Sequence, residues 1–179
     1  MERYLALLRG INVGGNNIIK MSELRDLFQN CGFSSVSSYI NSGNILFSAA
    51  NVDKAQIQKQ CQNALLQHFS LNIPTYITNK EQLTSALAAA PSWWGTDPNS
   101  KHNALFLIPP LKSTDVCDFI ASSEYEQHYC YDDVVFWSAP LATFFKTKLT
   151  KIHSSNMIDL ITIRNVNTSR KLGQLINQL

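Results

Sequence analysis

Residues 4–20 read YLALLRGINVGGNNIIK, and the rest of the chain is interpreted in relation to this stretch. Its apolar beginning, residues 4–8, predicts a short buried strand. The strand runs into Arg9 and a loop rich in glycine and asparagine, the residues that most readily adopt positive φ. Such loops can expose backbone N–H groups as an anion-binding nest, and an arginine adds a fixed fork of donors. We expect an anion site here, with a long turn that only needs this geometry as the alternative.

The residues after the loop predict the element order β-α-β-β-α-β. A helix with apolar residues at helical spacing is expected after Ser22, the predicted N-cap. Residues 35–40 and 45–48 predict two strands, which the turn signal Asn-Ser-Gly-Asn joins. A second helix capped by Asn51 and a strand at residues 73–77 complete the order. This order is typical of the ferredoxin-like, split-βαβ layout, an antiparallel sheet with two helices on one face.

The second half of the chain repeats this order after a partly helical, irregular connector. It predicts a strand, a helix capped by Thr114, a tight hairpin, and then an amphipathic helix that begins at Pro140. A further strand follows, and a last helix capped by Asn167 or Thr168 closes the chain.

The predicted fold class is therefore α+β, with two tandem ferredoxin-like (split βαβ) units, mainly antiparallel sheets and a C-terminal helix. The expected limits are residues 1–78 for the first unit, 79–100 for the connector and 101–179 for the second unit. Trp93 and Trp94 are expected to fill the joint between the units, with stacking on a base or sugar as the alternative.

The composition excludes several classes of protein. Hydrophobic residues make up 45% of the 179 residues, enough for a real core, so disorder is not expected. No apolar run approaches the roughly 18 residues that a membrane span requires. The N-terminal sequence has no signal-peptide pattern, so we expect a cytoplasmic protein without membrane association. The net charge of +2 is too small to indicate nucleic-acid binding by itself.

The four cysteines, Cys31, Cys61, Cys117 and Cys130, are widely spaced and form no CxxC motif. In a reducing compartment we expect all of them to be free thiols, with a disulfide as the less favoured alternative. His128 and Cys130 would lie on one side of a strand. A structural role is favoured there over a metal site or a Cys–His pair, because no further ligand is near in sequence.

Three segments supply the candidate ligand-binding residues. They are Arg9, Gly10, Asn12, Gly14, Gly15 and Lys20 in the first loop, Tyr39, Ser42 and Asn44 at the hairpin turn, and Arg164, Asn165 and Thr168 near the C-terminus. If the two units are related by pseudo-symmetry, Arg9 and Arg164 can approach one cleft. In the alternative, each arginine binds carbonyl groups within its own unit, and the hairpin turn has no function beyond turning the chain.

No catalytic residue can be named from the sequence. It contains no Walker loop, dinucleotide fingerprint, nucleophile elbow or metal-ligand spacing. We therefore expect no metal and no cofactor.

Four motifs together resemble a known family. They are RGINVGG at residues 9–15, Lys-Met at 20–21, YxxSGN at 39–44 and RN-x-x-T-x-x-K-L at 164–172. This combination resembles the bacterial family catalogued as domain of unknown function 1697. The chain departs from the family pattern at Val166, where tryptophan is usual, and at Ser37 and Ser38, where Arg-Thr is usual. The resemblance implies a two-domain protein of α and β elements with no established activity.

The sequence favours binding of a phosphate- or carboxylate-bearing ligand near two segments. They are the loop that follows Arg9 and the segment that contains Arg164, Asn165 and Thr168. The first alternative is a small hydrolase or a phosphoryl- or acyl-transfer enzyme, since acylphosphatases also place an arginine-containing loop after the first strand of such a sheet. The second is a nucleic-acid-binding module, which the strands disfavour because they lack an RNP-like aromatic signature. A small anionic ligand is thus the expected partner, and the oligomeric state is left open.

Overall fold

Two four-stranded antiparallel sheets form the framework of the protein in the computed structural model, which describes residues 1–50, 53–152 and 155–178. The chain divides into two compact units. Met1–Thr84 and Leu172–Leu179 form the first, and Ser85–Lys171 forms the second. Each unit has the predicted α+β, ferredoxin-like arrangement. The domain limits expected from the sequence stay a prediction.

In the first unit the strands are β1 (Glu2–Leu8), β2 (Ser34–Tyr39), β3 (Asn44–Ala49) and β4 (Thr75–Asn79). The helices are α1 (Met21–Asn30), α2 (Lys54–Phe69) and α3 (Lys80–Ala88), the last of which runs across the division between the units. The sheet order is β2-β3-β1-β4, so β3 lies between the two strands that α1 connects. Alternate residues of β1, such as Tyr4 and Leu8, pack into the core beside Phe28 and Phe47.

In the second unit the strands are β5 (Ser100–Leu107), β6 (Gln127–Tyr131), β7 (Val134–Pro140) and β8 (Ile161–Asn165). The helices are α4 (Ser113–Ile120) and α5 (Lys148–Lys151), with 3₁₀ turns at Leu141–Lys146 and Ile158–Leu160, and α6 (Val166–Gln178) begins in this unit and belongs to the first unit from Leu172 onward. The sheet order β6-β7-β5-β8 repeats the topology of the first sheet. Within the described ranges, none of these helices or those of the first unit is both long and apolar enough to cross a bilayer.

The N-caps of α1 and α2 in the structure are Lys20 and Asp53. Helix α1 begins after Lys20, not after Ser22, because Lys20 has the extended conformation of a cap (φ −68°, ψ 131°) and its carbonyl accepts the first helical bond. For α2 the predicted cap Asn51 lies outside the described residues. Asp53 is the cap that the structure shows, and its carboxylate accepts from the Ala55 amide.

The second unit also starts two helices earlier than predicted. Helix α4 follows Lys112 rather than Thr114. Helix α6 begins directly after Asn165, whose Oδ1 accepts the Thr168 amide at 2.8 Å. Asn165 is therefore a side-chain cap, and the prediction of a cap at Asn167 or Thr168 is wrong.

The amphipathic helix predicted from Pro140 is also wrong. A 3₁₀ turn takes its first half, Thr147 is extended (ψ 153°), and only the four-residue α5 follows. The carboxylate of Glu126 accepts hydrogen bonds from the amides of Lys148 and Leu149, which fixes the restart of the helix. Phe145, which would lie on the apolar stripe of that predicted helix, is 85% exposed.

The prediction of four free thiols is wrong for one pair. Cys117 on α4 and Cys130 on β6 form a disulfide, with Cα atoms 6.6 Å apart. Because helix α4 lies over the sheet, it brings together two cysteines that are distant in sequence. Cys31 and Cys61 are free, and burial raises the pKa of the Cys61 thiol.

Candidate functional site

Asn12 links three segments at one end of the first sheet. Its Nδ2 donates to the carbonyl of Asn41 at 2.8 Å and to that of Ile19 at 2.9 Å. Its Oδ1 accepts the Ile19 amide at 2.8 Å. The side chain thus ties what we call the Arg9 loop (residues 9–20) to the Ser42 turn (residues 39–44). These bonds use both N–H groups of the amide, so Asn12 supports the loop, and its contact with a ligand stays a prediction.

Gly43 brings the Ser42 turn against the Arg9 loop. Its φ is +79°, and a Cβ at this position would lie 2.8 Å from the Leu8 Cβ and 3.0 Å from the Ile11 Cδ1. The Leu8 amide donates to the Gly43 carbonyl at 2.8 Å. The glycine of the Ser-Gly-Asn motif is therefore required both for its backbone conformation and for this close approach.

Asn44 holds the shape of the turn from below. It is fully buried, and its Nδ2 donates to the Tyr39 carbonyl at 3.0 Å and to the Ser42 Oγ at 3.1 Å. Ile40, between these residues, has φ +48° and is half exposed. A β-branched residue at positive φ is strained, at a cost on the order of 1–3 kcal/mol, and such strain is concentrated at functional sites.

The Arg9 loop and the Ser42 turn together form what we call the loop cluster. Its edge carries positive charge and exposed backbone. Arg9 is half-buried, and Gly10, Gly14 and Gly15 are exposed with positive φ. Lys20 is exposed, lies 3.3 Å from the Glu23 carboxylate, and makes no side-chain capping bond to the described chain. The Lys20 side chain therefore does not compete with an anion for the first-turn amides of α1.

Arg25 is a basic residue that sequence reasoning missed. Its Nη1 donates to the Ser38 Oγ at 2.8 Å. Ser38 lies on β2. The guanidinium of Arg25 therefore supplies a positive charge next to that strand. In the sequence, the only sign of this contact was the position of Arg25 one helical turn after Met21.

Arg164, Asn165 and Thr168 are parts of the second unit's own structure. Arg164 is buried, and its Nη1 donates to the Thr162 Oγ1 and to the Ile163 carbonyl, both at 2.9 Å. Burial lowers the pKa of Arg164 to about 10. The carbonyl contact is the kind that we considered as the alternative to a ligand. That Arg9 and Arg164 serve one ligand stays a prediction.

A pocket in the second unit was not predicted. It has a volume of about 530 Å³ and lies where β5 begins and β7 ends. His102 and Ser138 are directly opposite each other on these strands and line it, with the His102 Nδ1 2.9 Å from the Ser138 Oγ. The His102 Nε2 lies 2.8 Å from the backbone carbonyl of Asp97. Because 36 positions separate the serine from the histidine, only the strand register could have revealed the pair.

In the part of the chain that the structure describes, no three His, Cys, Asp or Glu side chains are grouped so that they could hold a metal ion. Cys130 is paired with Cys117, so it cannot act with His128 as a ligand or as a nucleophile.

Comparison with known proteins identifies the family. The family described as "Protein of unknown function (DUF1697)" matches residues 1–136. The chain is 33% identical to the conserved bacterial protein SP0830 from Streptococcus pneumoniae, with a TM-score of 0.85 and 98% of each chain covered. The first two RRM domains of the yeast poly(U)-binding protein Pub1 align with 10% identity and a TM-score of 0.28, over 92% of this chain and 99% of that chain. No curated protein matches. The chain therefore belongs to the DUF1697 family of proteins of unknown function.

Proposed function

We propose that the protein binds a phosphate- or carboxylate-bearing ligand at the Arg9 loop and the Ser42 turn of the first unit. The observation that carries this proposal is the hydrogen bonding of Asn12, which joins the two ends of the Arg9 loop to each other and to the Ser42 turn. Segments held together in this way are pre-organised, so a ligand would not have to order them.

The charges and donors of the loop cluster suit an anion. Arg9 and Lys20 are cationic, and Arg25 lies at the neighbouring strand β2. The amides at the start of α1 add the positive end of a helix dipole. Val13 and Ile18 are exposed on the same loop, 61% and 75% respectively, and would contact an apolar part of the ligand.

The candidate residues then have two kinds of role. Asn12 and Asn44 form the frame, since their amides are bonded to backbone or to Ser42. The contacting groups would be the side chains of Arg9, Lys20, Tyr39 and Ser42, with the backbone amides of Gly10, Gly14 and Gly15. A contribution from Arg164, Asn165 and Thr168, and a cytoplasmic location, belong to the same proposal and rest on the sequence.

A thermal-shift series tests the proposal. Inorganic phosphate, sulfate and citrate are compared with sodium chloride at matched ionic strength, on the wild type and on Arg9→Gln. A ligand at about a hundredfold over its Kd adds roughly 2.7 kcal/mol of stability, a clear rise in melting temperature. We expect the anions to stabilise the wild type more than Arg9→Gln.

Lys59→Gln is the matched control, because Lys59 is an exposed cation on α2 outside the loop cluster. It should respond to the anions as the wild type does. Equal shifts in all three proteins would mean that the anions act on the general surface charge, and would contradict the proposal.

A further inference from the structure

We propose that the pocket of the second unit is an acyl-transfer site, in which Ser138 is the nucleophile and His102 its general base. This inference does not depend on the anion site, which lies in the other unit. The pocket volume of about 530 Å³ is within the range of roughly 300–1,000 Å³ found for small-molecule sites.

The hydrogen bonds around His102 determine which of its nitrogens carries the proton. The Asp97 backbone carbonyl can only accept, so the Nε2, 2.8 Å away, must donate to it. In the neutral imidazole the Nδ1 is then the acceptor, and the Ser138 hydroxyl donates to it across 2.9 Å. A base oriented by a third group and in contact with a hydroxyl is the arrangement of an activated serine.

The protein holds this pair rigidly. His102 and Ser138 are opposite each other in the ladder between β5 and β7, and both side chains are more than nine-tenths buried. Asp97, whose carbonyl orients the histidine, lies in a turn fixed by bonds from the Ser100 hydroxyl and the Asn99 amide to its carboxylate. Catalytic groups placed on strands in this way keep their geometry better than groups on loops.

The charge of the lining indicates the class of substrate. Asp97, Glu124 and Glu126 line the pocket, whereas no lysine or arginine does among the residues that the structure describes. Hydrogen bonds from Ser100 and from the Asn99 amide lower the pKa of the Asp97 carboxyl, which is therefore ionised at neutral pH. An anionic substrate would be repelled. We infer a carboxylic ester with a neutral or cationic acyl or alcohol group.

The reaction would follow two balanced steps. In the first, the Ser138 Oγ attacks the ester carbonyl carbon, its proton passes to the His102 Nδ1, and the C–O bond breaks as the leaving alcohol takes that proton. In the second, water attacks the acyl-serine and gives a proton to Nδ1, and Ser138 leaves and recovers it. The Gln127 amide and the Thr143 hydroxyl line the same pocket and are donors for the oxyanion.

Reaction of the full chain with a fluorophosphonate, followed by intact mass and peptide mapping, tests the nucleophile directly. Hydrolysis of p-nitrophenyl butyrate, butyrylcholine and an anionic p-nitrophenyl hemisuccinate tests the substrate class. We expect one adduct on Ser138 and turnover of the neutral and cationic esters over the anionic one. Ser138→Ala and His102→Gln should each lose about a hundredfold or more in rate.

Ser122→Ala, which removes an exposed hydroxyl outside the pocket, is the control and should keep the wild-type rate and adduct. The wild-type adduct decides the question even if a pocket variant fails to fold. No adduct on Ser138, or a wild-type rate equal to that of folded Ser138→Ala, would overturn the inference and leave the pair as a structural hydrogen bond. Faster turnover of the hemisuccinate would overturn the substrate class.

Discussion

The side chain of Asn12 and the backbone of Ile19 exchange two hydrogen bonds, 2.8 Å from the Ile19 amide to Oδ1 and 2.9 Å from Nδ2 to the Ile19 carbonyl. A third bond joins Nδ2 to the Asn41 carbonyl. The Asn12 side-chain amide thus bonds to backbone groups of both the Arg9 loop and the Ser42 turn, as the backbone of a neighbouring strand would. The Asn12 side chain therefore connects the two ends of the Arg9 loop with the Ser42 turn.

Asn12→Ala should therefore destabilise the protein by about 2–4 kcal/mol, because it leaves several backbone groups without their partner. The matched control is Asn17→Ala, because Asn17 has a similar positive φ and its Nδ2 donates to the Gly10 carbonyl at 3.1 Å. Urea unfolding followed by circular dichroism measures both. Similar losses in the two variants would show that backbone conformation, not the bonding of Asn12, determines the stability of the loop.

Gly43 and Gly15 offer a second matched pair, because both have φ +79°. Alanine at Gly15 meets nothing within 4 Å and should cost only the conformational term of about 1–2 kcal/mol. Alanine at Gly43 meets Leu8 and Ile11 as well, so it should cost at least about 1 kcal/mol more than Gly15→Ala. Equal costs in denaturant unfolding would contradict the close packing of turn against loop.

The sheet topology was predictable because it depends on periodic patterns that each half of the chain repeats. Local chemistry that depends on distant partners was not. The sequence from Pro140 to Ile152 has a helical apolar stripe, but the buried carboxylate of Glu126 takes the amides that restart the helix at Lys148. Likewise, Ser138 and His102 meet only through the register of β5 and β7.

The candidate site shows the same division. The motifs located the Arg9 loop and the Ser42 turn, but they could not distinguish residues that face outward from residues that form the frame. Asn12 and Asn44 were predicted as ligand contacts. In the structure their side-chain amides donate to the backbone carbonyls of Asn41 and Tyr39, respectively. Arg25 was missed because its meeting with Ser38 depends on how α1 packs against β2.

Glu126→Gln should destabilise the second unit. The carboxylate accepts from the Trp137 indole and from the amides of Lys148 and Leu149, so an amide there turns one acceptor into a donor that faces N–H groups. We expect a loss of about 1–3 kcal/mol. Glu124→Gln, at an exposed neighbouring glutamate, should change the unfolding free energy by less than about 0.5 kcal/mol. Equal effects of the two variants would mean that the buried contacts contribute nothing.

The disulfide gives a prediction opposite to the one drawn from the sequence. With Cys117 and Cys130 paired, the denatured protein should show two reactive thiols, Cys31 and Cys61, and four after reduction. Reduction should also lower the free energy of unfolding by about 3 kcal/mol, since the bond joins two cysteines that are 13 positions apart in the sequence. Thiol counting with a chromogenic disulfide reagent measures this, and four thiols before reduction would refute the pairing.

The most direct test of the central claim is an amide NMR titration of the wild type with inorganic pyrophosphate at constant ionic strength. The claim predicts saturable shifts of the Gly10, Gly14 and Gly15 amides, and weaker or absent shifts in Arg9→Gln. Shifts that are unsaturable, spread evenly over the surface or unchanged by Arg9→Gln would contradict an anion site at the Arg9 loop.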